Sequence, residues 1–296
     1  MFPNLWLIGP PKAGTSTLFS LLSQHPSVVS SSPKETFYLL DQEFGLLNSS
    51  SNYWREGAEG WTQFFELSTK KAEYILEGTT HLLYQEETLK VIASMGGESK
   101  AIAVYRDPAD RVMSSFFFTR DMLGRLPQSI TFSQYVTDLL KGNSLDYVSH
   151  RKSKYILEQE LHISTYSDHL KRWKQELGSS NVLLISFEDL IERQEETTSL
   201  IFSWLGLDPI SIKESSKNKT LSIKYPQLHG FLKSAFGSLR HSPLLTPIKG
   251  RYKKIVHGDS KKQKLSGDSM VALDSLRDYF KEEVEKCKKL IVRLDE

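Results

Sequence analysis

The sequence predicts an α/β fold, a single domain with a central parallel sheet flanked by helices. Three observations lead there. Short apolar runs alternate with helical patterns from Leu5 to Phe187. The first run ends in a glycine-containing turn that opens a helix. The length, 296 residues, suits one large α/β domain with an ample core. Strands alternating with helices imply a parallel sheet with right-handed crossovers.

The elements follow in order. Leu5 to Gly9 is a short buried strand, and Thr15 to Gln24 a helix closed by His25-Pro26. Tyr74 to Glu77 is the second strand, followed by a helix from about Gln85 to Met95. "KAIAVYR", Lys100 to Arg106, is the third, with Pro108 in the first turn of the next helix. The stretch from Leu126 to Leu177 reads mostly as helix, and "NVLLISF", Asn181 to Phe187, is the fourth strand. A closing amphipathic helix is expected over 268–294, because Leu273, Leu276, Phe280, Val284, Cys287 and Ile291 recur at spacings of three and four. On that face Cys287 reads as a core thiol.

Charge and composition narrow the function. The single cysteine excludes an internal disulfide and a cysteine-rich metal site. No apolar run is long enough to span a bilayer. Lys12 and Pro10-Pro11 interrupt the early apolar stretch, so no secretory leader is expected and the protein reads as cytoplasmic. Net charge is only +2, but residues 211–266 hold thirteen Lys/Arg against Glu214 and Asp259, a local +11 on a body of −9. Such a segment reads either as a mobile flap that attracts an anionic partner or as a solvated loop.

Two stretches carry chemistry. In "LWLIGPPKAGTSTLFSLL", Leu5 to Leu22, a strand ends in a glycine turn that opens a helix. Backbone N–H groups and the helix N-terminus make such a turn an anion site. Gly14 permits close approach, Thr15, Ser16 and Thr17 add hydroxyls, and Lys12 adds a full charge. The kinase-type phosphate loop has lysine directly after its second glycine. Thr15 occupies that position here, which fits a small-molecule kinase poorly. In "YRDPADRVMSSFFF", Tyr105 to Phe118, Arg106 ends a strand and Ser114 lies eight residues on, a pair able to grip one phosphate. Asp107 reads as a helix cap, and Arg111 as its partner one helical turn away.

Together these stretches resemble one family, the sulfotransferases that use 3′-phosphoadenosine 5′-phosphosulfate (PAPS). "PPKAGTSTL" resembles their 5′-phosphosulfate loop and "YRDPADRVMSS" their 3′-phosphate motif. "SPKETFYLLD", "STYSDHLKRW" and "ISFEDLI" are similar to segments of the heparan sulfate-type branch. The resemblance implies a P-loop-like sulfotransferase fold covering most of the chain, with PAPS as co-substrate and no metal. It implies that Lys12 stabilises the leaving phosphate. Ala13 and Gly14, with Thr15, Ser16 and Thr17, would hold the 5′-phosphate, and Arg106 and Ser114 the 3′-phosphate. Glu35 would be the acceptor's base, with His81 and His169 as further acceptor-site candidates. Paired with Lys34, Glu35 also reads as an ordinary surface carboxylate.

The sequence departs from that branch in places. "EGTTHLL", Glu77 to Leu83, stands where the branch carries a Glu-Lys-Ser-Pro-like segment, so its acceptor-contacting lysine is Gly78 here. The paired cysteines are absent. Lys249, Gly250 and Arg251 resemble the branch's last cofactor loop within a neighbourhood that does not match it. The expected acceptor is therefore a hydroxyl or amine of a small molecule or a carbohydrate, with no nucleic acid and no membrane span. A non-catalytic nucleotide- or glycan-binding protein is the reading from another class.

Overall fold

In a computed structural model, the described residues are 2–66, 72–95, 98–213, 221–223, 257–259 and 266–292. Five strands form a parallel sheet in the order β2-β3-β1-β4-β5. They are β1 (Leu5–Gly9), β2 (Val28–Ser30), β3 (Tyr74–Glu77), β4 (Lys100–Tyr105) and β5 (Val182–Ser186). Each strand expected from the sequence is present to within a residue. The additions are β2, whose three residues are too few to show a period, and a separate antiparallel pair, Leu221–Ile223 with His257–Asp259.

β1 lies at the centre, and that explains its composition. Leu5, Trp6, Leu7 and Ile8 are all fully buried, as a strand covered on both faces must be. Leu5 and Leu7 join a core with Leu18, Leu21 and Leu22 of helix α1 (Thr15–Leu22). Ile102 and Val104 of β4, Leu183 and Ile185 of β5, and Ile201, Phe202 and Leu205 complete that core. Trp6, on the alternate side, packs edge-on against Trp61 at 5.6 Å and donates its indole N–H to Ser99. Among the described residues no helix is long and apolar enough to cross a membrane.

The chain falls into two compact units. The first comprises residues 1–111, 161–217 and 277–296 and contains the whole parallel sheet. The second comprises 112–160 and 218–276. In the second unit the Phe116 ring stacks on Tyr135 and lies tilted against Phe132, and Ser115 donates to the buried Glu160 at 2.6 Å. Thr131 caps its helix Phe132–Lys141 by accepting from Gln134 N, and Gly142 ends that helix in the left-handed region. The expected closing helix is two helices, Gly267–Tyr279 and Lys281–Lys288, interrupted at Phe280. Cys287 is fully buried and donates to Glu283, and burial pushes its thiol pKa up, as a core thiol requires. The basic segment lies outside the described residues except at 211–213, 221–223, 257–259 and 266.

All five strands run the same way, so their carboxyl ends share one edge. Residues 10–14 leave β1 there, Lys34 and Glu35 follow β2, Glu77 ends β3 and Gly78 to Thr80 follow it, Arg106 follows β4 and Phe187 follows β5. Gly9 is the tight point of this edge. Its φ is +119°, and a Cβ would stand 2.0 Å from the Thr80 carbonyl oxygen. Gly142 is also left-handed, at +69°, but faces open space. Gly142→Ala should therefore lose about 1–2 kcal/mol, the backbone cost alone. Gly9→Ala should lose at least about twice that, because backbone must move. Urea unfolding midpoints test the contrast, and equal losses would contradict it.

Candidate active site

The loop after β1 is built to present its amides. Lys12 has φ +72°, a left-handed conformation that costs a lysine about 1–2 kcal/mol. Two arginines hold it there. Arg106 Nη1 donates to the Lys12 carbonyl at 2.6 Å, and its guanidinium lies 4.7 Å over the Phe187 ring. Arg111, wholly buried, donates from Nη1 to the Pro11 carbonyl at 3.4 Å and from Nε to Ser164 Oγ at 2.9 Å. A planar trans peptide points its N–H opposite its C=O. With the carbonyls of Pro11 and Lys12 turned onto the arginines, the amides of Lys12 and Ala13 face the other way. Gly14, at φ +84°, is the N-cap of α1, whose first amides have no intrahelical acceptor. Successive N–H groups at a helix N-terminus are an arrangement able to bind an anion. Of its three hydroxyl residues, Ser16 is exposed, while Thr15 and Thr17 are buried.

Arg111 departs from its sequence reading: it is a buried brace of the loop, set back from the helix surface where a pairing with Asp107 was expected. Asp107 behaves as expected, its carboxylate accepting from Asp110 N at 3.0 Å. A guanidinium has five donors, so the single bond from Arg106 to the loop leaves capacity for a phosphate. Burial lowers the pKa of Arg106, as it does for any cation removed from water. Ser114 is half-buried on the helix Pro108–Phe117. Lys249, Gly250 and Arg251 lie outside the described residues.

Glu35 is held at two points. It pairs with Lys34, whose Nζ is 2.7 Å from Oε1. It also accepts from Thr80 N and Thr80 Oγ1, both at 3.1 Å on Oε2. A carboxylate used only as surface charge needs no such fixing, yet this one is 30% exposed and held in one orientation. Lys34 bonds the Gly78 carbonyl as well, at 2.8 Å. That explains the departure at Gly78, where a Cβ would meet Phe19 Cδ2 at 2.7 Å and Lys34 Cγ at 2.9 Å. With Lys34 folded over this turn, residue 78 has no room for a side chain.

Behind Glu35 sits a second carboxylate that sequence reasoning passed over. Glu77 is buried and accepts from Thr36 Oγ1, Thr79 Oγ1 and Thr79 N at 2.6–2.8 Å. Burial pushes its pKa up, the threonine donors pull it down, and the nearby Glu35 charge pushes it up again. The only sequence signal was its position at the end of an apolar strand.

The two candidate histidines differ in setting. His81 is buried, bonded through Nδ1 to the Tyr84 hydroxyl and packed against the rings of Phe37 and Phe44. Its pKa is lowered to about 4, chiefly by burial, with Glu35 opposing and Arg111 and Lys34 assisting. His169 has both ring nitrogens engaged, Nε2 with the His162 carbonyl at 3.0 Å and Nδ1 with Arg172 at 2.6 Å. Nε2 must donate to the carbonyl, so Nδ1 accepts from the guanidinium, and the ring is neutral. Its pKa is also lowered to about 4 by burial.

Both histidines have folded pKa values of about 4 against 6.5 unperturbed. The unfolded chain binds the extra protons, so stability is full above pH 6.5 and is lost as pH falls through 4. Each such shift corresponds to about 3 kcal/mol when complete. Unfolding midpoints should drop between pH 6.5 and 4, and both imidazoles should titrate near 4 by NMR. Titration of either ring near 6.5 would contradict its burial as a neutral group.

Known proteins converge on the same reading. The family model described as "Sulfotransferase domain" matches residues 2–229. Bifunctional heparan sulfate N-deacetylase/N-sulfotransferase 4 of Mus musculus is 24% identical over 208 residues, 70% of this chain and 22% of the relative. The corresponding enzyme 2 of Bos taurus is 26% identical over 230 residues, 77% of this chain and 24% of the relative. The chain thus spans about a quarter of the length of these curated relatives. Among solved structures, a sulfotransferase from Alicyclobacillus acidocaldarius superposes with a TM-score of 0.58 at 18% identity, covering 80% of this chain and 92% of its own. That likeness extends to the fold, an α/β domain with a P-loop-like loop on a five-stranded parallel sheet. With the matched domain covering most of its length, this chain belongs to the sulfotransferase family.

Proposed function

We propose that the chain moves a sulfuryl group from PAPS to a hydroxyl or amine of a small-molecule or carbohydrate acceptor. The observation that carries this reading is the loop at residues 10–14, with its carbonyls turned onto Arg106 and Arg111 and the amides of Lys12 and Ala13 facing the other way. PAPS supplies a sulfuryl group already activated by its bond to the 5′-phosphate. The amides of Lys12 and Ala13, with Gly14 and the start of α1, hold that phosphate. The hydroxyl residues Thr15, Ser16 and Thr17 belong to the same cradle. Arg106 is our residue for the 3′-phosphate, and Ser114 is assigned to it on the resemblance.

The chemistry needs one proton removed and one charge stabilised. As the acceptor atom loses its proton to Glu35 and bonds to sulfur, the S–O bond to the phosphate breaks. The electron pair stays on the phosphate oxygen. Lys12 and the preorganised amides stabilise the charge that grows there. A metal bridging two phosphates has no part in this transfer. A kinase would want lysine at position 15, where this chain has threonine. The curated relatives carry N-sulfotransferase in their names, which favours an amine or a carbohydrate acceptor. Gly78, closed by Phe19 and Lys34, leaves no lysine there to meet an acidic glycan.

Incubation with PAPS and a panel of glycans, phenols, alcohols and amines, read by mass increase, tests the reading. No product with any acceptor would favour a binding protein. By calorimetry, 3′,5′-adenosine bisphosphate should bind more tightly than AMP by about 1.5–3 kcal/mol, a factor of roughly ten to a hundred. Equal affinities would remove the 3′-phosphate site.

Substitution separates the two catalytic roles. Lys12→Ala should weaken bisphosphate binding and lower kcat together, because Lys12 meets the phosphate before and during transfer. Glu35→Gln should leave bisphosphate affinity unchanged and lower turnover by about 10²–10⁴-fold, the usual worth of a positioned general base. Near-full activity of Glu35→Gln would make Glu35 a bystander and bring His81 forward.

A further inference from the structure

The contact that fixes Glu35 is flanked on both chain segments by bonds to one buried carboxylate. Glu35 accepts from Thr80 N and Oγ1. The residue after Glu35 is Thr36, whose hydroxyl donates to Glu77 Oε1 at 2.8 Å. The residue before Thr80 is Thr79, whose hydroxyl donates to Glu77 Oε1 at 2.6 Å and whose amide donates to Oε2 at 2.8 Å. The two segments are otherwise more than forty residues apart in sequence.

The hydroxyls make this arrangement directional. Thr79 Oγ1 has one proton, given to Glu77, and accepts from Thr36 N at 3.1 Å and Phe37 N at 3.2 Å. Thr36 Oγ1 likewise donates to Glu77 and accepts from Tyr38 N at 3.2 Å. Both Glu77 oxygens therefore have to accept, which suits a carboxylate and not an amide. The same net holds Phe37 at φ +50°, a conformation a bulky residue adopts only when its surroundings impose it. A buried carboxylate is costly, and an apolar residue ending β3 would avoid that cost. Its retention at this place asks for a role.

We propose that Glu77 is a positioning residue for Glu35. Its carboxylate clasps the turn 78–80 to the segment 36–38 through Thr36 and Thr79, and so fixes the Thr80 groups that orient Glu35. This rests on the reading of Glu35 as the base, but the clasp itself can be read without any turnover.

The readout is the exchange rate of the Thr80 amide, measured residue by residue by NMR, beside steady-state kinetics with PAPS and an accepted substrate. In Glu77→Gln and in Thr79→Ala, the Thr80 amide should exchange at least about tenfold faster, a loss of about 1.4 kcal/mol of local protection, while Ile102 in β4 is unchanged. Thr79→Ser keeps the hydroxyl and should retain both protection and turnover. In Glu77→Gln and Thr79→Ala, kcat should fall with little change in the KM for PAPS. Adding Glu77→Gln to Glu35→Gln should cost nothing further, since the first change acts through the residue already lost.

Unchanged Thr80 exchange in both Glu77→Gln and Thr79→Ala would overturn the proposal, as would independent, multiplying losses in the double variant. If Glu77→Gln does not fold, the Thr79→Ala and Thr79→Ser pair still decides. If Glu35→Gln alone keeps its activity, the base reading fails while Thr80 exchange still tests the clasp.

Discussion

The bond from Arg106 to the carbonyl of Lys12 determines which way the first loop faces, and the rest of the edge follows from it. A peptide unit has one donor and one acceptor at opposite ends, so a loop offers amides to a ligand only if something else takes its carbonyls. Arg106 and Arg111 do so here from β4 and the helix after it. The guanidiniums, Arg111 buried and Arg106 half-buried, need acceptors as much as the carbonyls need donors. Each requirement meets the other, and Lys12 is held in a backbone conformation it would otherwise leave.

Much of this was legible in sequence because strand and helix patterns are local. "LWLIG" ends in a helix-opening glycine turn, and "KAIAVY" runs into Arg-Asp-Pro; both segments stand where they were expected. Lys12, Arg106 and Glu35 come to one sheet edge because the strands before them are parallel. What sequence did not show depends on tertiary contact. Arg111 looked like a helix-surface residue because its partners, Pro11 and Ser164, are 100 and 53 positions away. Glu77 and Thr80 sat in a segment noted only for what it lacked. β2 was too short to carry a pattern, and Phe280 interrupts a closing helix whose apolar spacing continues through it.

The pairing of Glu35 with Lys34 does not count against the role proposed for it. An exposed Lys-Glu pair contributes little stability, because water screens it and both side chains lose freedom. Here Lys34 is largely covered, bonds a backbone carbonyl and lies 5.8 Å from the Phe19 ring, so it is fixed before it meets Glu35. A cation fixed in this way orients a carboxylate at little further entropic cost. The same folding of Lys34 fills the space above Gly78. The absent side chain at 78 and the ordered carboxylate at 35 are two consequences of one packing choice.

The edge thus separates its charges by exposure. Lys12 and Glu35, the groups proposed here to do the chemistry, are partly exposed. Arg111 and Glu77, of the same two charge types, are buried behind them. Each buried charge is met by directed hydrogen bonds, among them those of Arg111 to a carbonyl and a serine and of Glu77 to two threonines. Burial raises the cost of breaking any one of those bonds, because no water replaces the lost partner. A surface ion pair tolerates a shift of an ångström; these networks do not. The stiffness that the proposed base and phosphate loop would require comes from the buried charges bonded to the segments that carry them.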